Sequence, residues 1–327
     1  MGVLVSLLAG ILPMAFFAWI LYYLDRYEKE PIKLLIGVFL WGAIIAAGAA
    51  FLINTITSSG IYFITQSEFA TQLTISTLVA PVVEETLKGA AVLMVFLFFR
   101  SEFDSLLDGL IYAGITALGF AATENAWYIH QLGFMEYGWE GLLKMTFVRV
   151  VLVGWQHPFY TSFIGLGFAF SRRTKEPIIR WISPLLGWTI AVVLHLLHNL
   201  FSGLFQSNAG LAFATIWDWS GYLGLLLLVI LLIKREQRWM KEYLAQEYKQ
   251  QILSEEQYQI ACSAWKQGLA FFSSRFDGNY RQVKDLYQIC GDLMHKKRLL
   301  IRHGDELGSG LEIQRLRAEL SSLAEQV

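Results

Sequence analysis

Apolar stretches, each long enough to cross a membrane as a helix, alternate along this chain with short polar segments. The stretches cover residues 3–24, 34–56, 75–99, 106–128, 142–170, 181–201 and 219–233. After Lys234 the residues are mainly polar, with apolar positions at helical spacing. The pattern predicts an all-α fold in two parts: a polytopic membrane bundle of about seven transmembrane helices (1–233) and a small helical cytosolic C-terminal appendage (234–327).

The composition supports a lipid bilayer as the environment of the chain. Hydrophobic residues make up 55% of it, charged residues only 16%, and the mean hydropathy is +0.45. These values are typical of polytopic membrane proteins. The net charge of −1 argues against a nucleic-acid partner.

Basic residues are distributed unequally among the predicted connections. The first, third and fifth connections carry Lys or Arg, whereas the second, fourth and sixth (54–75, 129–141 and 202–218) carry none. By the positive-inside rule, the N-terminus lies outside and the appendage lies in the cytoplasm. The two cysteines, Cys262 and Cys290, fall in this appendage, which fits reduced cytosolic thiols.

Three charged residues interrupt the apolar segment 69–99: Glu84, Glu85 and Lys88. A charge near the centre of a membrane helix costs roughly 2.5 to 3.5 kcal/mol, so these side chains need partners or a wet cavity. On a helix either carboxylate can pair with Lys88, which leaves the other available as a general base. The alternative is a structural ion pair that joins helices.

Other polar residues inside the predicted spans lie at a similar depth. With a rise of about 1.5 Å per residue, Glu84 and Glu85 lie roughly 22 to 24 Å from the cytoplasmic side, and Glu124 roughly 27 Å. His157 and His195 each come out at roughly 21 Å. All of them fall in the outer half of a hydrocarbon core about 30 Å thick, which predicts one common site.

The residue types at this depth favour hydrolysis of a peptide bond. Glu124, His157 and His195 are ligands of the kind that hold a catalytic zinc ion. Glu84 or Glu85 can take the proton from the attacking water and deliver it to the leaving amine. Asn199 lies one turn after His195, so it can orient that imidazole or donate to a developing oxyanion.

The motifs together resemble the PrsW family of bacterial intramembrane proteases, within a wider group that includes CAAX endopeptidases. They are Glu-Glu-x-x-Lys at Glu84, Glu85 and Lys88, Phe-x-x-x-Glu-Asn at Phe120, Glu124 and Asn125, His157, and His-x-x-x-Asn at His195 and Asn199. The resemblance covers residues 3–201 and implies that Asn125 belongs to the catalytic site. It also implies a multi-pass protein of the bacterial inner membrane that cuts a single-span, anti-sigma-factor-like substrate near its extracytoplasmic side.

Three alternatives remain open at this point. The attacking water can be activated by a glutamate without a metal. The ionisable residues can also form a proton or cation path through a carrier, since such residues mark transport paths as well. Finally, the site can serve a scaffold that only binds a partner helix.

Overall fold

A computed structural model of the chain describes residues 1–25, 27, 29–204, 208–304 and 309–327. Every regular element within these residues is helical, so the predicted all-α class is confirmed. Positions 26, 28, 205–207 and 305–308 lie outside the described residues, and with them Arg26, one of the basic residues behind the predicted orientation.

Most of the helices in the first 243 residues are long and apolar. They are α1 (Gly2–Leu24), α2 (Ile32–Thr65), α3 (Glu68–Thr74), α4 (Ala80–Phe98), α5 (Leu106–Tyr128), α6 (Met135–Thr146), α7 (Gln156–Arg173), α8 (Pro177–Leu204) and α9 (Asn208–Tyr243). Wider π-helical turns occur at Trp41–Ala46 in α2, Ile75–Val79 before α4, Ile129–Phe134 after α5 and Phe147–Leu152 after α6. Further helices follow: α10 (Ala245–Lys249), α11 (Glu255–Ala261), α12 (Ala264–Asp277), α13 (Tyr280–His303) and α14 (Ser309–Ala324).

The chain divides into two compact units. The first contains Met1–Leu24 and Glu30–Leu227, and the second contains Asp25–Lys29 and Leu228–Val327. The second unit thus includes the connection between α1 and α2, whose Tyr27 is fully buried in that unit's apolar core. The predicted domain boundary after residue 233 stays a prediction.

Five helical stretches of the described chain are long and apolar enough to cross a membrane, as expected of a multi-pass membrane protein. They are Gly2–Leu24, Ile32–Thr65, Leu106–Arg173, Pro177–Ser202 and Thr215–Lys249. The 68-residue stretch Leu106–Arg173 includes two of the predicted spans. The predicted span 75–99, which contains α4, is not among these stretches. Helix α4 carries three charged residues. The number of seven spans and the orientation stay predictions.

The single helix predicted over residues 142–170 is interrupted in the structure. The helical turn Phe147–Leu152 is followed by Val153 and Trp155, whose ψ angles of 10° and 1° lie outside the α-helical range. The physical reason is Pro158, which cannot donate a backbone hydrogen bond and is tolerated only in the first turn of a helix. The chain therefore starts a new helix, α7, at Gln156. His157 lies in the first turn of α7 and not in the middle of a long helix.

Small residues let the helices that carry the polar side chains approach one another closely. A Cβ atom on Gly42 of α2 would lie 2.0 Å from a backbone oxygen of α5, so no larger residue fits there. Ala46 and Ala50 continue this packing stripe at four-residue spacing. Gly109 of α5 and Gly165 of α7 make a similar backbone contact. These contacts hold α2, α5 and α7 in register.

A buried carboxylate joins three helices of the second unit. Glu247 of α10 is fully buried and accepts hydrogen bonds from Lys297 of α13 at 2.5 Å and from Arg317 of α14 at 3.0 Å. Because both partners are cations, the carboxylate charge is balanced locally.

We expect Glu247→Gln to destabilise the second unit by on the order of 2 kcal/mol, because it leaves two partly buried cations without a carboxylate. Hydrogen exchange of the purified full-length chain, followed in α13, measures the effect as faster exchange. Glu256→Gln, at an exposed position of α11, is the matched control. Equal exchange in the two variants would show that the network does not stabilise the unit.

Candidate functional site

The first half of α4 carries three charged side chains that are almost completely buried. Pro81 lies in the first turn of this helix, where a proline is tolerated. Glu84 is 7% exposed, and both Glu85 and Lys88 are fully buried. Helical spacing places Lys88 next to both carboxylates: its Nζ lies 2.6 Å from Oε1 of Glu85 and 3.8 Å from Oε2 of Glu84.

Both oxygens of Glu85 are engaged. Oε1 contacts Lys88 and also lies 3.0 Å from Nδ1 of His195 in α8, while Oε2 accepts a hydrogen bond of 2.8 Å from the hydroxyl of Thr161 in α7. Since a carboxylate only accepts hydrogen bonds, Nδ1 of His195 donates to it. Glu85 therefore fixes the tautomer of His195 and leaves Nε2 of that ring with a free lone pair.

Glu84 differs from Glu85 because one of its oxygens is unengaged. Its Oε2 is buried and has no hydrogen-bond partner among the described residues. Nε2 of His195 lies 3.9 Å away, which is beyond hydrogen-bonding distance. Buried polar atoms without partners are rare in native proteins, and each needs an explanation such as a bound ion or a catalytic role.

His157 links α4 to α5. Its Nδ1 lies 3.1 Å from Nζ of Lys88, and its Nε2 lies 2.9 Å from Oε2 of Glu124. Because an ammonium group only donates, Nδ1 accepts from Lys88 and the Nε2 proton points at Glu124 in this arrangement. A chain of hydrogen bonds thus runs from Lys88 through His157 to Glu124.

Arg149 balances the charge of Glu124. The guanidinium contacts the same oxygen, Oε2, that faces His157. It also donates from Nε to the side-chain oxygen of Asn125 at 2.8 Å. Asn125, a predicted catalytic residue, lies in the structure where it orients Arg149.

The ring of His195 is positioned by an aromatic stacking contact as well as by its hydrogen bond to Glu85. Tyr160 of α7 stacks on it with a centroid separation of 5.2 Å and an interplanar angle of 25°. The hydroxyl of Tyr160 donates to the buried carboxylate of Asp218 in α9 at 3.0 Å. Asp218 therefore fixes Tyr160, and Tyr160 limits the tilt of the imidazole.

Three buried residues, Glu84, His157 and His195, could hold a metal ion. Each offers one ligand atom, and these atoms all lie within 4.8 Å of one another. The donor set predicted from the sequence shares both histidines but has Glu124 as its carboxylate. The ligand set stays a prediction, as do the catalytic roles of Glu84, Glu85 and Lys88.

The structure brings most of the predicted site residues together and leaves one apart. Glu84, Glu85, Lys88, Glu124, His157 and His195 form one continuous network, with Asn125 attached through Arg149. Asn199 instead donates from Nδ2 to the backbone oxygen of Ser76 at 2.7 Å and ties α8 to the turn that precedes α4.

Two residues of the site, Tyr160 and Thr161, are not among those predicted from the sequence. They follow His157 by three and four positions on α7, so the helical same-face rule was sufficient to find them. A hydroxyl in an apolar helix is a weak signal of function, because it costs little to bury and usually bonds to its own backbone.

The chain matches known proteins over most of its membrane part. Residues 30–234 match the model of the PrsW family, described as "PrsW family intramembrane metalloprotease". Protease PrsW of Geobacillus kaustophilus is 25% identical over 224 residues, which is 68% of this chain and 85% of that protein. Protease PrsW of Clostridioides difficile is 36% identical over 105 residues, or 32% of this chain and 42% of that protein.

A further relative, Protease PrsW of Bacillus subtilis, is 25% identical over 198 residues, 59% of this chain and 79% of that protein. No solved structure matches the chain. The family match covers more than half of the chain and includes every residue of the network described above. This chain is therefore a peptidase that belongs to the PrsW family of intramembrane metalloproteases.

Proposed function

We propose that the chain is a zinc-dependent intramembrane endopeptidase that cleaves a single-span membrane protein of the anti-sigma-factor type near its extracytoplasmic side. The observation that carries this proposal is the buried triad of Glu84, His157 and His195, whose ligand atoms lie within 4.8 Å of one another. The family membership supports a metal-dependent peptidase. The depth predicted for the site supports cleavage in the outer half of the membrane.

The residue types fit a zinc ion, and His157 would bind it by exchanging its contact with Lys88 or with Glu124 for the metal. Two imidazoles and one carboxylate are a common catalytic zinc set, which leaves one coordination position open. Oε2 of Glu84 has no hydrogen-bond partner, and Nε2 of His195 carries a free lone pair because Nδ1 donates to Glu85. A zinc ion held by these residues would lower the pKa of a water molecule and polarise the scissile carbonyl.

Glu85, Thr161 and Tyr160 position the ligands. Glu85 accepts the Nδ1 proton of His195, as carboxylates beside metal-binding histidines do. Thr161 holds the second oxygen of Glu85, which prevents that carboxylate from turning. With both oxygens engaged, Glu85 is poorly placed to take a proton from water.

Glu124 is the carboxylate that we propose as proton acceptor in the zinc-dependent reaction. Its side chain is 21% exposed, more than that of Glu84 or Glu85. Arg149 and His157 both contact Oε2 of Glu124. The carboxylate can take the proton of the attacking water and return it to the leaving amine. Lys88 compensates the negative charge that Glu84 and Glu85 add to the site.

A glutamate-activated water without metal is the second candidate mechanism, and one observation favours it. The hydrogen bond from Lys88 to Nδ1 of His157 keeps the proton on Nε2, the nitrogen that faces Glu124. In that arrangement Glu84, with its unengaged oxygen, is the group available to take the proton from water.

Metal analysis of the purified protein separates the two mechanisms. We expect about one zinc ion per chain in the wild type, and its loss in both His157→Ala and His195→Ala, because each variant removes one of three protein ligands. Cleavage of a single-span model substrate should be lost in the same two variants. Elemental mass spectrometry and the cleavage assay are run on the same preparations.

His130→Ala is the matched control, because His130 stacks on Phe134 and lies outside the triad. It should keep both zinc and activity. A wild-type preparation that cleaves the substrate without any bound metal would overturn the zinc-dependent mechanism and support the glutamate-activated one.

A further inference from the structure

Helix α12 of the second unit exposes its large apolar side chains. Trp265 is 76% exposed, Leu269 53%, Phe272 62% and Phe276 78%. The helix is well defined at both ends: Ser263 caps its N-terminus, and Gly278, with φ 77°, ends it. It lies outside the segment that matches the PrsW family model, residues 30–234.

The opposite side of α12 packs against the apolar core of the second unit through Ala264, Ala270 and Phe271, and it also buries two polar side chains. Gln267 is fully buried and donates a hydrogen bond of 3.0 Å to the backbone oxygen of Ala261, and Ser274 is only 2% exposed. A surface helix normally turns its large apolar side chains inward, whereas four of the large apolar side chains of α12 are exposed. The exposed apolar side chains of α12 therefore form a surface that favours binding to another apolar surface.

The four exposed side chains form one narrow stripe with a cation on each side. At about 100° per residue, Trp265, Leu269, Phe272 and Phe276 fall within roughly 60° of one another. Lys266 and Arg275 lie about 80 to 100° from Trp265 on either side of it, and both are exposed. Helices that lie in a membrane interface have this pattern, with long basic side chains reaching the headgroups beside an apolar face.

We propose that this stripe docks onto the lipid bilayer that the protein spans, with its aromatic rings at the boundary between headgroups and acyl chains. The apolar stretch Thr215–Lys249 can cross the membrane, and α12 follows it within the same chain. The bilayer is thus present at high effective concentration. Tryptophan and phenylalanine are residues of choice for such an interface, and Lys266 and Arg275 complement anionic headgroups.

A second copy of the chain fits the stripe less well. The spacing of the four apolar residues matches two heptads of a helix pair, but paired helices usually carry complementary charges along their seam. Here Lys266 and Arg275 lie on the two flanks and Asp277 alone is acidic, at the C-terminal end of the helix, so the stripe lacks the regular alternation of charges that such a seam carries.

Spin labels on the full-length chain in vesicles of phosphatidylcholine and phosphatidylglycerol test the proposal. Phe272→Cys places the label on the stripe, and Ser273→Cys places it about 100° away at an exposed position of the same helix. The native thiols react poorly, because burial raises the pKa of Cys262 to about 11 and raises that of Cys290 as well. Wild-type protein treated with the same reagent gives the background.

We expect the ratio of oxygen accessibility to nickel-complex accessibility to be about threefold or more higher at position 272 than at position 273, because only position 272 reaches the acyl boundary. Equal ratios at the two positions would overturn the proposal, since the stripe would then face water. Spin–spin broadening at position 272 that disappears on dilution with unlabelled protein would also overturn it, in favour of a second copy. Thermal unfolding of both variants verifies that they fold as the wild type does.

Discussion

Replacement of Glu85 by glutamine is expected to reduce peptidase activity by about 10- to 100-fold or more, because the partner that orients His195 is lost. The amide is nearly isosteric but carries no charge. It can neither balance Lys88, whose Nζ lies 2.6 Å from Glu85, nor accept on both oxygens as the carboxylate does. We also expect a loss of stability of about 3 to 5 kcal/mol, since Lys88 stays fully buried without its closest counter-charge.

A double variant separates the two effects of this substitution. Glu85→Gln combined with Lys88→Met removes both charges, so much of the lost stability should return. Activity should stay low, because Nδ1 of His195 still lacks a carboxylate. Thermal unfolding and substrate cleavage are measured for the single and the double variant. If the double variant regained full activity, Glu85 would have only a structural role.

The sequence was sufficient to predict the all-α class and most of the polar residues that contact one another in the site. Charges and imidazoles in apolar helices are conspicuous, and the rise per residue is constant enough to compare their depths. The same reasoning placed Glu84, Glu124, His157 and His195 at one level of the membrane, and the structure joins them in one network.

The pairing of individual atoms could not be derived from the sequence. Glu84 and Glu85 are about 100° apart on a helix, so a small rotation exchanges their surroundings. In the structure Glu85 contacts Lys88, His195 and Thr161, whereas Oε2 of Glu84 has no hydrogen-bond partner. This choice depends on how α4, α7 and α8 pack, and one sequence holds no direct record of that packing.

Two further differences have local causes. Asn199 shares a face of α8 with His195, but the adjacent π-helical turn offers the backbone oxygen of Ser76, and Asn199 bonds to it. The break before α7 was detectable in principle, because Pro158 cannot lie in the interior of a regular helix. However, the apolar run around this proline is long enough to cross a membrane as one helix, and this pattern outweighed the proline in the prediction.

Glu84→Gln is expected to have the opposite effect on stability from Glu85→Gln while abolishing the same activity. Since Oε2 of Glu84 has no hydrogen-bond partner, the substitution breaks no strong contact and removes an incompletely paired buried charge. The free energy of unfolding should therefore stay unchanged or rise by about 1 kcal/mol, as it often does when a functional residue that is costly to bury is replaced. Activity should fall by about 100-fold or more, whether Glu84 binds zinc or takes the proton from water.

The two roles of Glu84 differ in what happens to the metal. If Glu84 is a ligand, Glu84→Gln loses both zinc and cleavage, whereas a proton acceptor in a metal-free site leaves the metal content of the variant the same as that of the wild type. Thermal unfolding, elemental analysis and substrate cleavage on one preparation measure all three quantities. A variant that unfolds more easily than the wild type would instead mean that Glu84 stabilises the helix bundle through its ion pair with Lys88, 3.8 Å away. A stable but inactive variant is the expected result, because a buried carboxylate oxygen without a partner is costly to keep for any purpose other than chemistry.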